Sequence, residues 1–231
     1  MLSFAWSLIT PLFMLLVYGL VLTRGANVTG DGIPYLAFAW TGLVVWTFFA
    51  SALNAGTNSL LVAGYVITKV YFPRSVVPFA AVLVAGAESL AAIGIMLVVA
   101  FVQTGTTMFT PALAALPLIL WCLAVWVTAL ALLLSVAAVF VRDLTYAVTI
   151  ILQVGFFATP VMYPISFLGP LSWLAVVNPV AVVITSLRDV LLQGLWPEPL
   201  PLLAQAAAGT VLLLAVVAYV RAVEHRIADV I

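Results

Sequence analysis

The sequence has 231 residues with seven Lys and Arg and seven Asp and Glu, so charged residues make up only 6%, against about 25% in a typical soluble domain. Hydrophobic residues reach 67% and the mean hydropathy is +1.35. Too little polar surface remains to cover a compact domain in water, and the same values exclude a disordered chain or a fibre. The chain is therefore expected in a bilayer. A spanning helix needs about 20 apolar residues, because a hydrocarbon core of about 30 Å is crossed at 1.5 Å per residue. Six such spans use about 120 residues, which leaves room for loops and for no soluble domain. A membrane barrel would show short alternating segments, whereas the apolar runs here are long and unbroken.

In chain order, the first predicted span covers 4–22 and ends at a polar loop through Asp31 and Gly32. This run is too long for a signal-peptide core and lacks a basic start and a small-residue cleavage site. The second span covers 35–53. A stretch of mixed character follows, with the only lysine, Lys69, and the cluster Tyr71, Phe72, Pro73 and Arg74. The third span, 77–102, is rich in alanine and glycine, a composition that predicts close, central helix packing. The fourth covers 111–139, and the turn Arg142-Asp143 leads into the fifth, 144–163. The sixth, 202–220, is followed by a short charged tail. Between the last two, segment 164–194 is too apolar for an aqueous loop yet broken by Pro164, Pro170 and Pro179. Two short helices, at about 168–176 and 179–192, fit it better than a full span and make it a candidate re-entrant hairpin.

The fold expected is all-α and integral to the membrane: one domain over 1–231, six transmembrane helices, and a re-entrant helical hairpin between helices 5 and 6. Lys69, Arg74, Arg142, Arg221 and Arg226 fall on one side of it, Arg24 and Arg188 on the other. That asymmetry places both termini in the cytoplasm. No phosphate-binding loop is present, since Lys69 is followed by Val70. One His and one Cys build no metal site, so no metal or cofactor is expected in this chain. Cys122 lies in an apolar run, and His225 reads as a solvated residue of the tail. There is no basic block for nucleic acid. Glu88, near the middle of the third span, reads either as a substrate or proton contact or as a hydrogen-bonded packing residue. Trp6, Trp40, Trp173 and Trp196 read mainly as interface anchors. The two cytoplasmic turns read either as positive-inside anchors or as docking points for a cytoplasmic partner.

Several segments carry a resemblance. Residues 69–78 (KVYFPRSVVP) are similar to the cytoplasmic turn before the third helix of type-2 ABC exporter permeases, most closely the polysaccharide branch that exports O-antigens, capsules and teichoic acids. Val141-Arg142-Asp143-Leu144, Gln153 and residues 159–164 (TPVMYP) resemble the same family's fifth helix. Asn178-Pro179 and Arg188-Asp189 resemble its extracytoplasmic re-entrant segment, and residues 224–231 (EHRIADVI) its C-terminal tail. The resemblance implies a homodimer of six-helix subunits in the bacterial cell membrane, working with two cytoplasmic ABC ATPase subunits that bind the ATP and Mg. It further implies that Lys69, Tyr71, Phe72, Pro73, Arg74, Arg142 and Asp143 couple to the ATPase. Tyr163, Pro164, Asn178, Pro179, Arg188 and Asp189 would form an outer gate, and the cargo would be a lipid-linked glycan. A type-2 exporter of small lipophilic compounds and a non-transporting membrane scaffold are the alternatives. In one departure, family members begin with a basic amphipathic helix, whereas Met1 to Trp6 start almost inside the span, so most of that helix is expected to be missing.

Overall fold

A computed structural model describes residues 9, 12–17, 21, 32–64, 73–105 and 109–230, with backbone alone at 103, 104 and 224–230. Most of the expected first span (4–22), Trp6, Arg24, Lys69, Tyr71 and Phe72, and the side chain of His225, lie outside the described residues.

The described residues are all-helical. The helices, in chain order, are α1 (Tyr35–Val62), α2 (Val76–Thr104), α3 (Leu116–Phe140, entered through a 3-10 turn at Pro111–Ala115), α4 (Leu144–Ala158), α5 (Trp173–Val177), α6 (Pro179–Arg188) and α7 (Pro199–Val230). Four of them are long and apolar enough to cross a membrane (α1, α2, α3 with its entry turn, and α7), and α4 is a shorter apolar helix. α2 and α4 both run opposite to α1: Trp40 meets Ala92 and Phe48 lies by Gly86, while Asn54 meets Thr149 and Trp46 lies by Gly155. The turns before α2 and between α3 and α4 therefore share one end of the bundle, and the α5–α6 hairpin occupies the other.

α1 continues nine residues beyond the expected end at 53. Its polar residues do not break it, because each satisfies its side chain on its own helix. Thr57 Oγ1 donates to Leu53 O at 2.6 Å, Asn54 Nδ2 to Ala50 O at 3.0 Å and Asn58 Nδ2 to Asn54 O at 2.9 Å. In an apolar surround such back-bonding removes the penalty of an unpaired polar group.

The central helix is α1, not the alanine-rich α2. Within the apolar window of α1, 72% of residues are buried, against 22% for α2. Composition alone points to α2 because small residues permit close approach, but they do not compel it: nothing lies within 4 Å of where a Cβ on Gly94 would sit. Close approach occurs instead on α1, where a Cβ at Gly56 would lie 2.6 Å from Ala131 Cβ of α3. Trp40 is correspondingly no interface anchor. It is 2% exposed and its indole N–H donates to Ala92 O of α2 at 3.4 Å. Trp173 and Trp196, on the hairpin and just beyond it, are exposed.

α3 and α7 pack along their length. Trp126 Nε1 donates to Gln205 O at 2.9 Å and Trp121 Nε1 to Thr210 Oγ1 at 3.2 Å. The Gln205 side chain then donates to Val176 O and Val177 O at 3.0 and 2.9 Å, satisfying carbonyls at the C-terminal end of α5. The last spanning helix thereby holds the first helix of the hairpin.

Candidate functional site

The site begins where α4 stops. A residue before proline is pushed out of the α region, and Thr159, ahead of Pro160, is extended (φ −98°, ψ 136°). The next few residues lie against the start of α1, with carbonyls that accept from side chains rather than joining a helix ladder. Tyr35 Oη donates to Met162 O at 3.1 Å. Tyr163 Oη donates back to Phe157 O at 2.6 Å.

Asn178 and Pro179 start α6. The Asn178 carboxamide oxygen accepts from the backbone N–H groups of Val180 and Ala181 at 3.0 and 3.3 Å, an N-cap, while its NH2 donates to Thr159 Oγ1 at 2.8 Å. Pro179 occupies the first helical position, where no N–H is needed. One side chain thus starts the hairpin's main helix and ties it to the break after α4.

Arg188 sits at the other end of α6. The sequence reading places it among outer-side loop charges, but it is 3% exposed. Its Nε and Nη2 both donate to Phe38 O, at 3.1 and 3.0 Å, its Nη1 donates to Pro160 O at 3.1 Å, and Nη2 also donates to Val161 O. Its Cζ lies 3.5 Å from the Phe38 ring centroid, a cation–π contact. A buried guanidinium is tolerated because the broken segment and the start of α1 surround it with carbonyl oxygens. Gly42 makes the approach possible: a Cβ there would overlap Val161 O and lie 2.7 Å from Arg188 Nη2.

Just past Arg188 the helix widens into a π turn, Asp189–Gln193, and ends at Gly194 in the left-handed region (φ 66°). Leu195 N–H donates to Asp189 O at 2.9 Å and the chain doubles back. This reversal brings Glu198 to the same cavity as Asp189, a space of about 220 Å³ also lined by Thr185 and Ser186 and by apolar groups of α5 and α7. Burial first, and the Glu198 carboxylate second, push the Asp189 carboxyl up to about 6, while Arg188 acts in the opposite sense.

A second feature runs along α1 and α4. Thr47, Ser51, Asn54 and Asn58 recur at intervals of three or four on α1, and Thr145, Thr149 and Gln153 at intervals of four on α4, so each set shares one helix face. The two faces meet where Thr149 Oγ1 donates to Asn54 Oδ1 at 3.1 Å. Ser51, Thr149 and Gln153 are exposed at the surface of this chain. An amide moved from water into hydrocarbon without a partner costs about 4–8 kcal/mol, which makes this seam a poor surface for lipid.

The remaining candidate residues lie apart from both features. Pro73 is exposed and Arg74 half-buried ahead of α2, and Arg142 and Asp143 are exposed between α3 and α4, at the same end of the bundle. Glu88 is half-buried on α2. Pro164 is buried where the 3-10 turn Ile165–Leu171 starts. Among the described residues, no three or more His, Cys, Asp or Glu are grouped to hold a metal.

Residues 1–192 match the model of a family described as ABC-2 type transporter. The chain belongs to the ABC-2 type transporter family. It is 31% identical over 84% of its length to the O-antigen export system permease protein RfbA of Klebsiella pneumoniae, covering 74% of that protein. It is 28% identical over 92% of its length to the O-antigen export system permease protein RfbA of Myxococcus xanthus, covering 81%. In this ABC-2 chain, the sequence reading singles out Asn178, Pro179, Arg188 and Asp189, but not Phe38 and Gly42 of the distant start of α1, nor Glu198, which the reversal at Gly194 brings back to Asp189. The polar seam was legible in principle: the three-and-four spacing of Thr47, Ser51, Asn54 and Asn58 was the signal.

Proposed function

We propose that this chain is the membrane-spanning permease subunit of an ATP-driven exporter that moves lipid-linked polysaccharide from the cytoplasm outward. The observation that carries the reading is the exposed polar seam of α1 and α4. Hydroxyl and amide groups on a spanning surface suit a hydrated, hydroxyl-rich cargo, and they suit a lipophilic drug or an inert scaffold poorly. The names of the relatives from K. pneumoniae and M. xanthus support the same cargo class.

In this reading two copies pair with their seams facing a shared path, each with six spans, and the α5–α6 hairpin enters from the outer side as a gate. Both termini are cytoplasmic. The basic residues support that orientation more strongly once Arg188 is taken out of the count, because a buried, carbonyl-bound guanidinium is no loop charge. Two separate ATPase subunits dock at the end that carries Pro73, Arg74, Arg142 and Asp143, with Lys69, Tyr71 and Phe72 assigned to the same coupling by sequence alone, and they supply the ATP and Mg that this sequence has no phosphate loop to hold. Tyr163, Pro164, Asn178, Pro179, Arg188 and Asp189 belong to the gate, and Glu88 is a packing residue of α2.

Cells that depend on this permease and its ATPase for surface glycan provide the test. Gln153→Leu and Asn54→Leu should each lower surface glycan about fivefold or more, equivalent to about 1 kcal/mol of lost interaction with the cargo, at unchanged permease levels in the membrane. Wild-type export in both variants would overturn the assignment of the seam.

A further inference from the structure

The cavity between the hairpin and the start of α7 has a chemistry that glycan export does not use. Its walls bring together Asp189 from the π turn after α6, Glu198 ahead of α7, and the hydroxyls of Thr185 and Ser186. Ser186 is 3% exposed and lines the cavity, yet its hydroxyl has no hydrogen-bond partner among the described residues. Thr185 already donates to Ala181 O and Val182 O, which leaves its oxygen lone pairs as acceptors only. Neither carboxylate has a hydrogen-bond donor among the described residues, and the Arg188 guanidinium, the nearest cation acting on Asp189, is taken up by Phe38, Pro160 and Val161. The result is a group of hard oxygen acceptors around one cavity, two of them carboxylates, beside the Ser186 hydroxyl.

We propose that this cavity binds a hydrated Mg²⁺ ion, held by the carboxylates of Asp189 and Glu198 and the hydroxyl of Ser186. A dication cancels the repulsion of two converging carboxylates, and hydroxyl oxygen completes a hard ligand set. Two carboxylates and one hydroxyl suit Mg²⁺, which is bound through one or two carboxylates and keeps several waters, better than Ca²⁺, which draws on a larger set of protein oxygens. A volume of about 220 Å³ accommodates the ion with that water shell. Structurally, the ion would pin the start of α7 to the end of α6 and so tie the hairpin to the last span, independently of what the permease carries. The π turn that ends α6 brings Asp189 into the cavity wall.

The test uses the full-length permease in phosphatidylcholine nanodiscs, whose zwitterionic headgroups minimise binding of cations by lipid. Mn²⁺ serves as the paramagnetic probe, titrated with and without competing Mg²⁺, Ca²⁺ or methylammonium. The proposal expects one saturable Mn²⁺ site per chain, displaced by Mg²⁺ more readily than by Ca²⁺. Asp189→Asn and Glu198→Gln should each weaken it at least about tenfold, the scale of perturbed metal sites. Glu198 is exposed, so Glu198→Gln leaves the fold intact and decides the matter alone if Asp189→Asn does not fold. No saturable site, wild-type affinity in Glu198→Gln, or displacement by methylammonium as readily as by Mg²⁺ would each overturn the proposal. The last outcome would assign the cavity to an ammonium group instead.

Discussion

The contact that seats the hairpin on α1 depends on one missing methyl group. At Gly42 an added Cβ would overlap the Val161 carbonyl oxygen and lie 2.7 Å from Arg188 Nη2. The obstructing atoms are backbone and a hydrogen-bonded guanidinium, so they cannot swing aside as a flexible side-chain end could. Overpacking of a buried site costs about 1–3 kcal/mol, and displacing the charge-assisted bond from Arg188 to Val161 O costs about 1.5–3 kcal/mol more. Gly42→Ala is therefore expected to destabilise the permease by about 4 kcal/mol, a fall in melting temperature of about 10 °C for a chain of this length. Gly94→Ala is the control. That glycine is also helical, but its Cβ would meet nothing within 4 Å, so the substitution should stabilise slightly, by about 0.4–1 kcal/mol, through the unfolded chain. Fluorescence-detected size exclusion after heating reads both variants in one detergent. Equal melting temperatures for the two would refute the packing argument and, with it, the seating of Arg188 on Phe38 and Val161.

Two further outcomes follow from the same region. Asn178→Ala removes the N-cap of α6 and the bond to Thr159 Oγ1 together, a loss of about 2 kcal/mol. Amide hydrogen exchange at Val180 and Ala181 should accelerate selectively, and unchanged protection there would show that the cap does not hold the hairpin. The Asp189 carboxyl, pushed up to about 6 by burial and by Glu198 and opposed by Arg188, keeps its proton in the folded state at pH values where the unfolded chain has lost it. Stability from this group is therefore full below its ordinary range near 3.8 and lost as pH rises through about 6. Without divalent cations, melting temperature should fall between pH 5 and 7 in the wild type and stay flatter in Asp189→Asn. An identical slope in both would place the titration elsewhere.

The sequence by itself determined that this chain belongs in a bilayer, because 6% charge cannot clothe a soluble fold. It also located the helices beyond residue 34 to within a few residues at most ends, since hydropathy and length are local properties. It started a short helix at Pro179, where the structure starts α6, but it ran the fifth span on to 163, past the stop at Ala158 that Pro160 imposes through Thr159. Where the local rule was incomplete the ends moved. Polar side chains that bond back to their own helix carried α1 through Asn54 and Asn58 to Val62. Which helix is central was decided only in three dimensions. In a membrane, lipid and protein interior are equally apolar, so Trp40 at the core and Leu83 on the exposed face of α2 look alike in sequence. The same holds for charge. Arg188 reads as an outer-side cation until Phe38, 150 positions earlier, is seen to accept its hydrogen bonds, and Glu198 joins Asp189 at one cavity only because the chain doubles back at Gly194. Pairing across such separations depends on how helices stack, and a one-dimensional pattern of apolar residues carries no record of that.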